Sequence, residues 1–137
     1  MPIIEFTAKD LLRTRILPPA WYRVLIERTA EKLSKNGDST NWLLEGTIQF
    51  NADNGDKEFA GVPTPYWGFN SKVKDYFMPG FFAALGNPPD AKNGSRFELN
   101  NVVGKELDVF IENDTYEGRL VNRINHKYRQ PQTMEIL

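Results

Sequence analysis

The sequence predicts a mostly β domain with one helical interruption. Three observations carry that reading. Apolar and polar residues alternate in residues 21–27, 41–50 and 106–112, the period-two pattern of half-buried strands. Turn-forming Asn, Gly, Asp and Pro residues separate those runs. Only residues 72–85 carry helical spacing, and Gly86 followed by Pro88-Pro89 closes that stretch.

Residues 2–6 are short and apolar. Thr7 suits an N-cap with Asp10 three positions on, giving a short helix through Arg13. Pro18-Pro19 then forces extended chain. In the first strand Tyr22, Val24 and Ile26 share one face, and Trp21, Arg23, Leu25 and Glu27 share the other. Residues 32–41 read as a turn carrying Lys32 and Lys35. In the second strand Trp42, Leu44, Gly46 and Ile48 share a face, and Gly46 marks a bulge or bend. Asn54-Gly55 marks a hairpin loop over residues 51–56. A third strand is expected over residues 58–64, at a sheet edge because of Pro63 and Pro65.

Asn70 or Ser71 caps a helix beginning at Lys72, which Pro79-Gly80 kinks or splits. Val73, Phe77, Phe81 and Leu85 form its expected buried stripe. Two strands close the domain. With Asn113-Asp114 as their turn, Ile111 faces Tyr116, Val109 faces Gly118, Leu107 faces Leu120, and Asp108 pairs with Arg119. Three strands, a helix and two strands is the order of the OB-fold, a five-stranded Greek-key barrel. A small β-sandwich is the structural alternative. The 137 residues form one domain, with an N-terminal extension over 1–19, the barrel over 20–128 and a tail over 129–137.

Composition narrows the chemistry. The chain has no cysteine and one histidine, His126, so it lacks the ligand set of a zinc site and a thiolate nucleophile. No cofactor is expected. Net charge is −1, which argues mildly against a purely electrostatic nucleic-acid binder, although a basic groove can coexist with an acidic back. No apolar run reaches the ~20 residues that span a bilayer. Residues 1–7 lack the features of a signal peptide, so the cytoplasm is the expected compartment.

No catalytic constellation is present in the pattern, and the chain reads as a non-enzyme. There is no Gly-rich phosphate loop. His126 reads as a surface residue at a strand end. Asp53 and Asp56 read as turn residues rather than a calcium loop. Glu106, Asp108 and Glu112 read as a solvated strand face. What remains is aromatic and basic material. Trp42 follows Lys32 and Lys35, Tyr66, Trp67 and Phe69 precede Lys72, and the last strand carries Arg123, Lys127, Tyr128 and Arg129, with Arg23 on the first. Single-strand binders need cations along the backbone path and flat rings for base stacking. Each aromatic also has a packing alternative. Trp42 shares parity with Leu44 and Ile48, and Tyr66-Trp67 suit a cover over a barrel mouth.

Four stretches carry a family likeness: WYRVLIERTAEKLSKNG at residues 21–37, FFAALG ending at Gly86, VVGKELDVFIE at 102–112 and YEGRLVNRI at 116–124. On these the chain resembles small bacteriophage-encoded OB-fold proteins that bind single-stranded DNA in replication or recombination. The resemblance implies a barrel coating single strands with little sequence preference, in the host cytoplasm, with Lys32 and Lys35 in the first interstrand loop and Trp42 on the second strand. It leaves open RNA as an alternative ligand, a homo-oligomer, and replication or recombination proteins as partners. The end of the chain departs from the acidic tail many single-strand binders carry, having one acid after Arg129 and an apolar finish at residues 134–137. The competing function is a protein-interaction or assembly module on a barrel or sandwich scaffold, which the acidic residues Glu106, Asp108, Glu112 and Glu117 and the near-neutral charge suit.

Overall fold

The computed structural model describes residues 2–8, 11 and 15–131. Most of the expected N-terminal helix, including Asp10 and Arg13, and the apolar finish at 134–137 lie outside the described residues. At the start of that helix the Leu11 N–H donates to the Thr7 carbonyl at 3.2 Å.

Five strands form one antiparallel sheet: β1 (Ala20–Leu33), β2 (Thr40–Asn51), β3 (Trp67–Asn70), β4 (Glu106–Tyr116) and β5 (Arg119–Arg129). The order across the sheet is β3-β2-β1-β4-β5, and the sheet is not closed into a barrel by backbone pairing. Helix α1 (Lys74–Ala84) and a 3₁₀ turn (Leu99–Val102) lie between β3 and β4. The expected order of three strands, a helix and two strands therefore holds.

The alternation in β1 and β2 assigns faces as the sequence suggests. Tyr22, Val24, Ile26, Leu44 and Ile48 are buried and join Leu107, Val109, Ile111 and Phe81 in one core. β1 is longer than expected, so Lys32 lies on the strand opposite Asn41 and the turn is shortened to the residues after Leu33. Two register shifts interrupt the β1–β2 ladder. The second leaves Glu27 unmatched between Ile26↔Gly46 and Arg28↔Glu45. Gly46 is required there. A Cβ would lie 2.5 Å from the Leu25 carbonyl oxygen and 2.8 Å from Val24 Cγ1, distances no real side chain shows.

The third strand is displaced from the expected one. Residues 58–61 form a turn, Pro63 makes only an isolated bridge with Thr47, and the ladder with β2 begins at Trp67. Proline lacks the N–H a ladder needs, which moves the pairing past Pro63 and Pro65.

Helix α1 is neither split nor started at Lys72. It begins at Lys74 and runs through Pro79. The carbonyl that Pro79 leaves without a helical partner belongs to Asp75, in the exposed first turn of the helix. Asn70 Oδ1 accepts from the Lys72 N–H at 2.9 Å, so Asn70 organises the turn before the helix and does not cap it. The buried residues are Phe81, Phe82 and Ala84, whereas Val73 and Phe77 are over a third exposed.

The β4–β5 hairpin turns at Glu117-Gly118, not at Asn113-Asp114. Tyr116 pairs with Arg119, Asn113 with Asn122 and Ile111 with Ile124. Glu117 and Gly118 have φ of 49° and 77°, the left-handed pair that a two-residue type I′ turn demands. Asp108 consequently faces Arg129 rather than Arg119. It is fully buried, which overturns its reading as part of a solvated face.

Candidate nucleic-acid interface

The unmatched Glu27 matters for the surface. Trp21, Arg23 and Leu25 point away from the core before the bulge. After it, Thr29 pairs with buried Leu44, so Arg28, Ala30 and Lys32 take the outward positions. β1 thus presents one outer face from Trp21 to Lys32.

Directly opposed residues of neighbouring strands share a face. Phe50, Arg23, Asp108 and Arg129 line up across β2, β1, β4 and β5, and Trp21 lies opposite Phe110 in the next row. The Trp21 and Phe110 rings meet edge to face at 5.5 Å, and both are half-buried. The Arg129 guanidinium sits 4.4 Å from the Trp21 ring centre, Lys127 Nζ 5.4 Å from that of Phe110, and the Arg23 guanidinium 5.0 Å from that of Phe50. Three of the cations singled out in the sequence, Arg23, Lys127 and Arg129, are thus on β1 and β5 beside three aromatic rings that were not, and Arg123 lies further along β5 opposite Glu112. Parity held the missing signal: Trp21 alternates with Arg23, and Phe110 with Asp108.

These cations are matched by carboxylates. Arg23 Nε donates to Asp108 Oδ1 at 2.6 Å. Arg129 reaches both Asp108 Oδ2 at 3.3 Å and Asp53 Oδ1 at 2.7 Å. Lys127 pairs with Glu112 at 2.9 Å and Arg123 with Asp114 at 3.2 Å. Hydrogen bonds from Lys127 and Asn125 hold the Glu112 carboxyl below the usual carboxylate range.

The remaining predicted site residues divide. Lys32 and Lys35 are exposed at the far end of the β1–β2 hairpin. Lys72 comes to the same end, where it pairs with Asp38 at 2.7 Å. Tyr66 is 84% exposed, beside a groove that also holds Glu27, Glu45 and Arg28. Three aromatics do not face solvent as stacking rings. Trp67 and Phe69 are core residues, 2% and 3% exposed, because β3 turns them toward Phe81 of α1. Tyr128 is largely inside as well, its phenol oxygen accepting from Trp67 Nε1–H at 2.6 Å. Burial pushes the Tyr128 phenol well above its ordinary value. Trp42 is half-buried on the core side, in a groove with Met78, Phe82 and Phe97.

His126 is not a simple surface residue. β5 carries extra residues between Ile124 and Tyr128 opposite β4, and His126 takes φ of 59° there. Its ring stacks on Phe77 at 4.3 Å and meets Phe69 at 5.0 Å. Nδ1 lies 2.9 Å from the Tyr128 oxygen. Burial lowers its pKa, which fits a neutral ring whose Nδ1 accepts a hydrogen bond from the Tyr128 hydroxyl.

Among the described residues no group of three or more His, Asp or Glu side chains is arranged to hold a metal ion, and no helix is long and apolar enough to cross a membrane. No protein-family model matches the chain, and no curated protein matches it.

Proposed function

We propose that this protein is a non-catalytic module that binds single-stranded DNA across the outer face of its sheet. The observation that carries this is the Trp21–Phe110 pair with Arg129 and Lys127 over its rings. Flat rings beside cations are what a binder indifferent to sequence needs, since every base has a face to stack. The strand order β3-β2-β1-β4-β5 with the helix after β3 supports an OB-type reading, in which a partly open barrel presents such a surface. The family resemblance adds a role in phage replication or recombination, in the host cytoplasm.

Titration of a fluorescein-labelled oligothymidylate tests the proposal. Binding should fall steeply with salt and exceed binding to duplex. Trp21→Ala should weaken it by about 1–3 kcal/mol. A folded protein that leaves the oligonucleotide free at low salt overturns the reading.

One observation favours a second reading, a protein-interaction or assembly module. Arg23, Arg123, Lys127 and Arg129 each have a carboxylate partner, so these cations of β1 and β5 are electrically compensated. That module would ignore DNA and sediment as a defined oligomer or with a protein partner.

A further inference from the structure

We infer that the outward edge of the Arg129 guanidinium is a phosphate site, and that Asp53 holds it closed by occupying the phosphate's place. The inference rests on the single-strand-binding reading and adds its regulation.

The geometry distinguishes the two carboxylates on Arg129. Asp108 is 0% exposed and fixed between β1 and β5, where it also holds Arg23. It anchors Arg129 through Nε. Asp53 is 58% exposed and sits in the loop after β2, holding the neighbouring nitrogen Nη2 at 2.7 Å. If Asp53 leaves, Arg129 keeps its interior anchor and its place 4.4 Å from the Trp21 ring. A guanidinium fixed at Nε with its Nη2 donors open is preorganised for an oxyanion. A phosphate offers the same charge and acceptor geometry as the carboxylate, so the two compete for one place.

The loop is built to present that carboxylate. Asn51 Oδ1 accepts from the backbone N–H groups of Asp53 and Asn54 at 2.9 and 3.2 Å. These bonds use main-chain donors and leave the Asp53 side chain free to release Arg129 without unravelling the turn. Lys127, two residues back along β5, is paired with Glu112, there with the cation as the more exposed partner, Glu112 28% and Lys127 59% exposed.

The test compares Asp53→Asn and Glu112→Gln with Glu5→Gln, which removes the same charge outside the sheet, using the fluorescein-labelled oligothymidylate at low salt. Asp53→Asn should bind about two- to fivefold more tightly than the natural protein, the span expected from releasing an exposed ion pair. Glu112→Gln should shift the same way, and Glu5→Gln should not. Asp53→Ser gives the same readout if the Asn variant does not fold. Equal gains in Asp53→Asn and Glu5→Gln would reduce the effect to net charge and overturn the inference. Unchanged or weaker binding by Asp53→Asn, with the natural protein still binding, would overturn it and leave the functional reading standing. If natural protein and variants all fail to bind, both fall together.

Discussion

The indole N–H of Trp67 donates to the phenol oxygen of Tyr128 at 2.6 Å, and this contact joins the two edges of the sheet. Trp67 is on β3 and Tyr128 on β5, the strands at opposite ends of the order. Side chains bring together edges that no backbone ladder connects. Phe81 of α1 lies against both rings, at 5.8 and 5.4 Å, so the helix covers the seam.

Tyr128→Phe should destabilise the domain by about 1–3 kcal/mol, because it leaves a buried indole donor unpaired. Urea unfolding monitored by tryptophan fluorescence measures it. Unchanged stability would mean that Trp67 finds another acceptor.

Asp108→Asn should cost more. The carboxylate is fully buried and serves both Arg23 and Arg129. Neutralising it leaves two guanidinium groups with one partner fewer, one of them inside the protein. Breaking a buried ion pair costs about 3–5 kcal/mol. A midpoint shift worth less than about 1 kcal/mol would place that cost outside the buried class.

Gly46→Ala should destabilise by about 1–3 kcal/mol, the usual range for overpacking, since the added methyl meets the Leu25 carbonyl oxygen at 2.5 Å. Backbone atoms cannot rotate aside as a side-chain end can. Gly80→Ala is the comparison, with nothing within 4 Å of its Cβ position. Equal melting temperatures for the two variants would contradict the close approach.

Stability should fall as the medium is acidified below about pH 6.5. The folded pKa of His126 lies below its ordinary 6.5 because burial disfavours the imidazolium. The unfolded chain therefore takes up the proton first. The His126 contribution is whole above 6.5 and is lost as pH falls from there toward the folded pKa. Thermal melts from pH 7.5 to 5.5 should show a shallower decline for His126→Gln than for the natural protein. Parallel declines would assign the effect to other groups.

Much of this architecture was legible in local pattern. Period two identified the inward faces of β1, β2 and β4, because burial demands it of each strand separately. The β4–β5 turn shows the limit. Moving it from Asn113-Asp114 to Glu117-Gly118 shifts every partner by an even number of positions, so the apolar residues keep their face and both registers satisfy the alternation. Backbone conformation decides between them, and Gly118 supplies it. β3 was misplaced because four residues carry too little periodicity to outweigh the apolar positions near Val62.

The candidate site was less legible. Arg23 and Asp108 lie 85 positions apart, and only β1–β4 pairing makes them neighbours. A similar separation hid the company that Trp21 keeps with Phe110. Trp67 and Phe69 had the ring chemistry of a binding surface, but the edge strand that carries them turns both toward α1. Trp67→Ala is therefore a folding variant, not a test of stacking.

The β1–β4 ladder has a consequence for how the chain reaches this state. β1 with β2, and β4 with β5, close over short turns and are local events. Joining them must close a loop of most of the chain, an entropy cost that local contacts do not repay and that non-local topology translates into slow folding. The Arg23–Asp108 pair stands on that join. Formed after the transition state, it would act as a late lock, and Asp108→Asn would speed unfolding while leaving the refolding rate nearly constant. The two arms of a denaturant chevron measure this directly, and a refolding arm slowed in proportion to the lost stability would instead put the join in the nucleus.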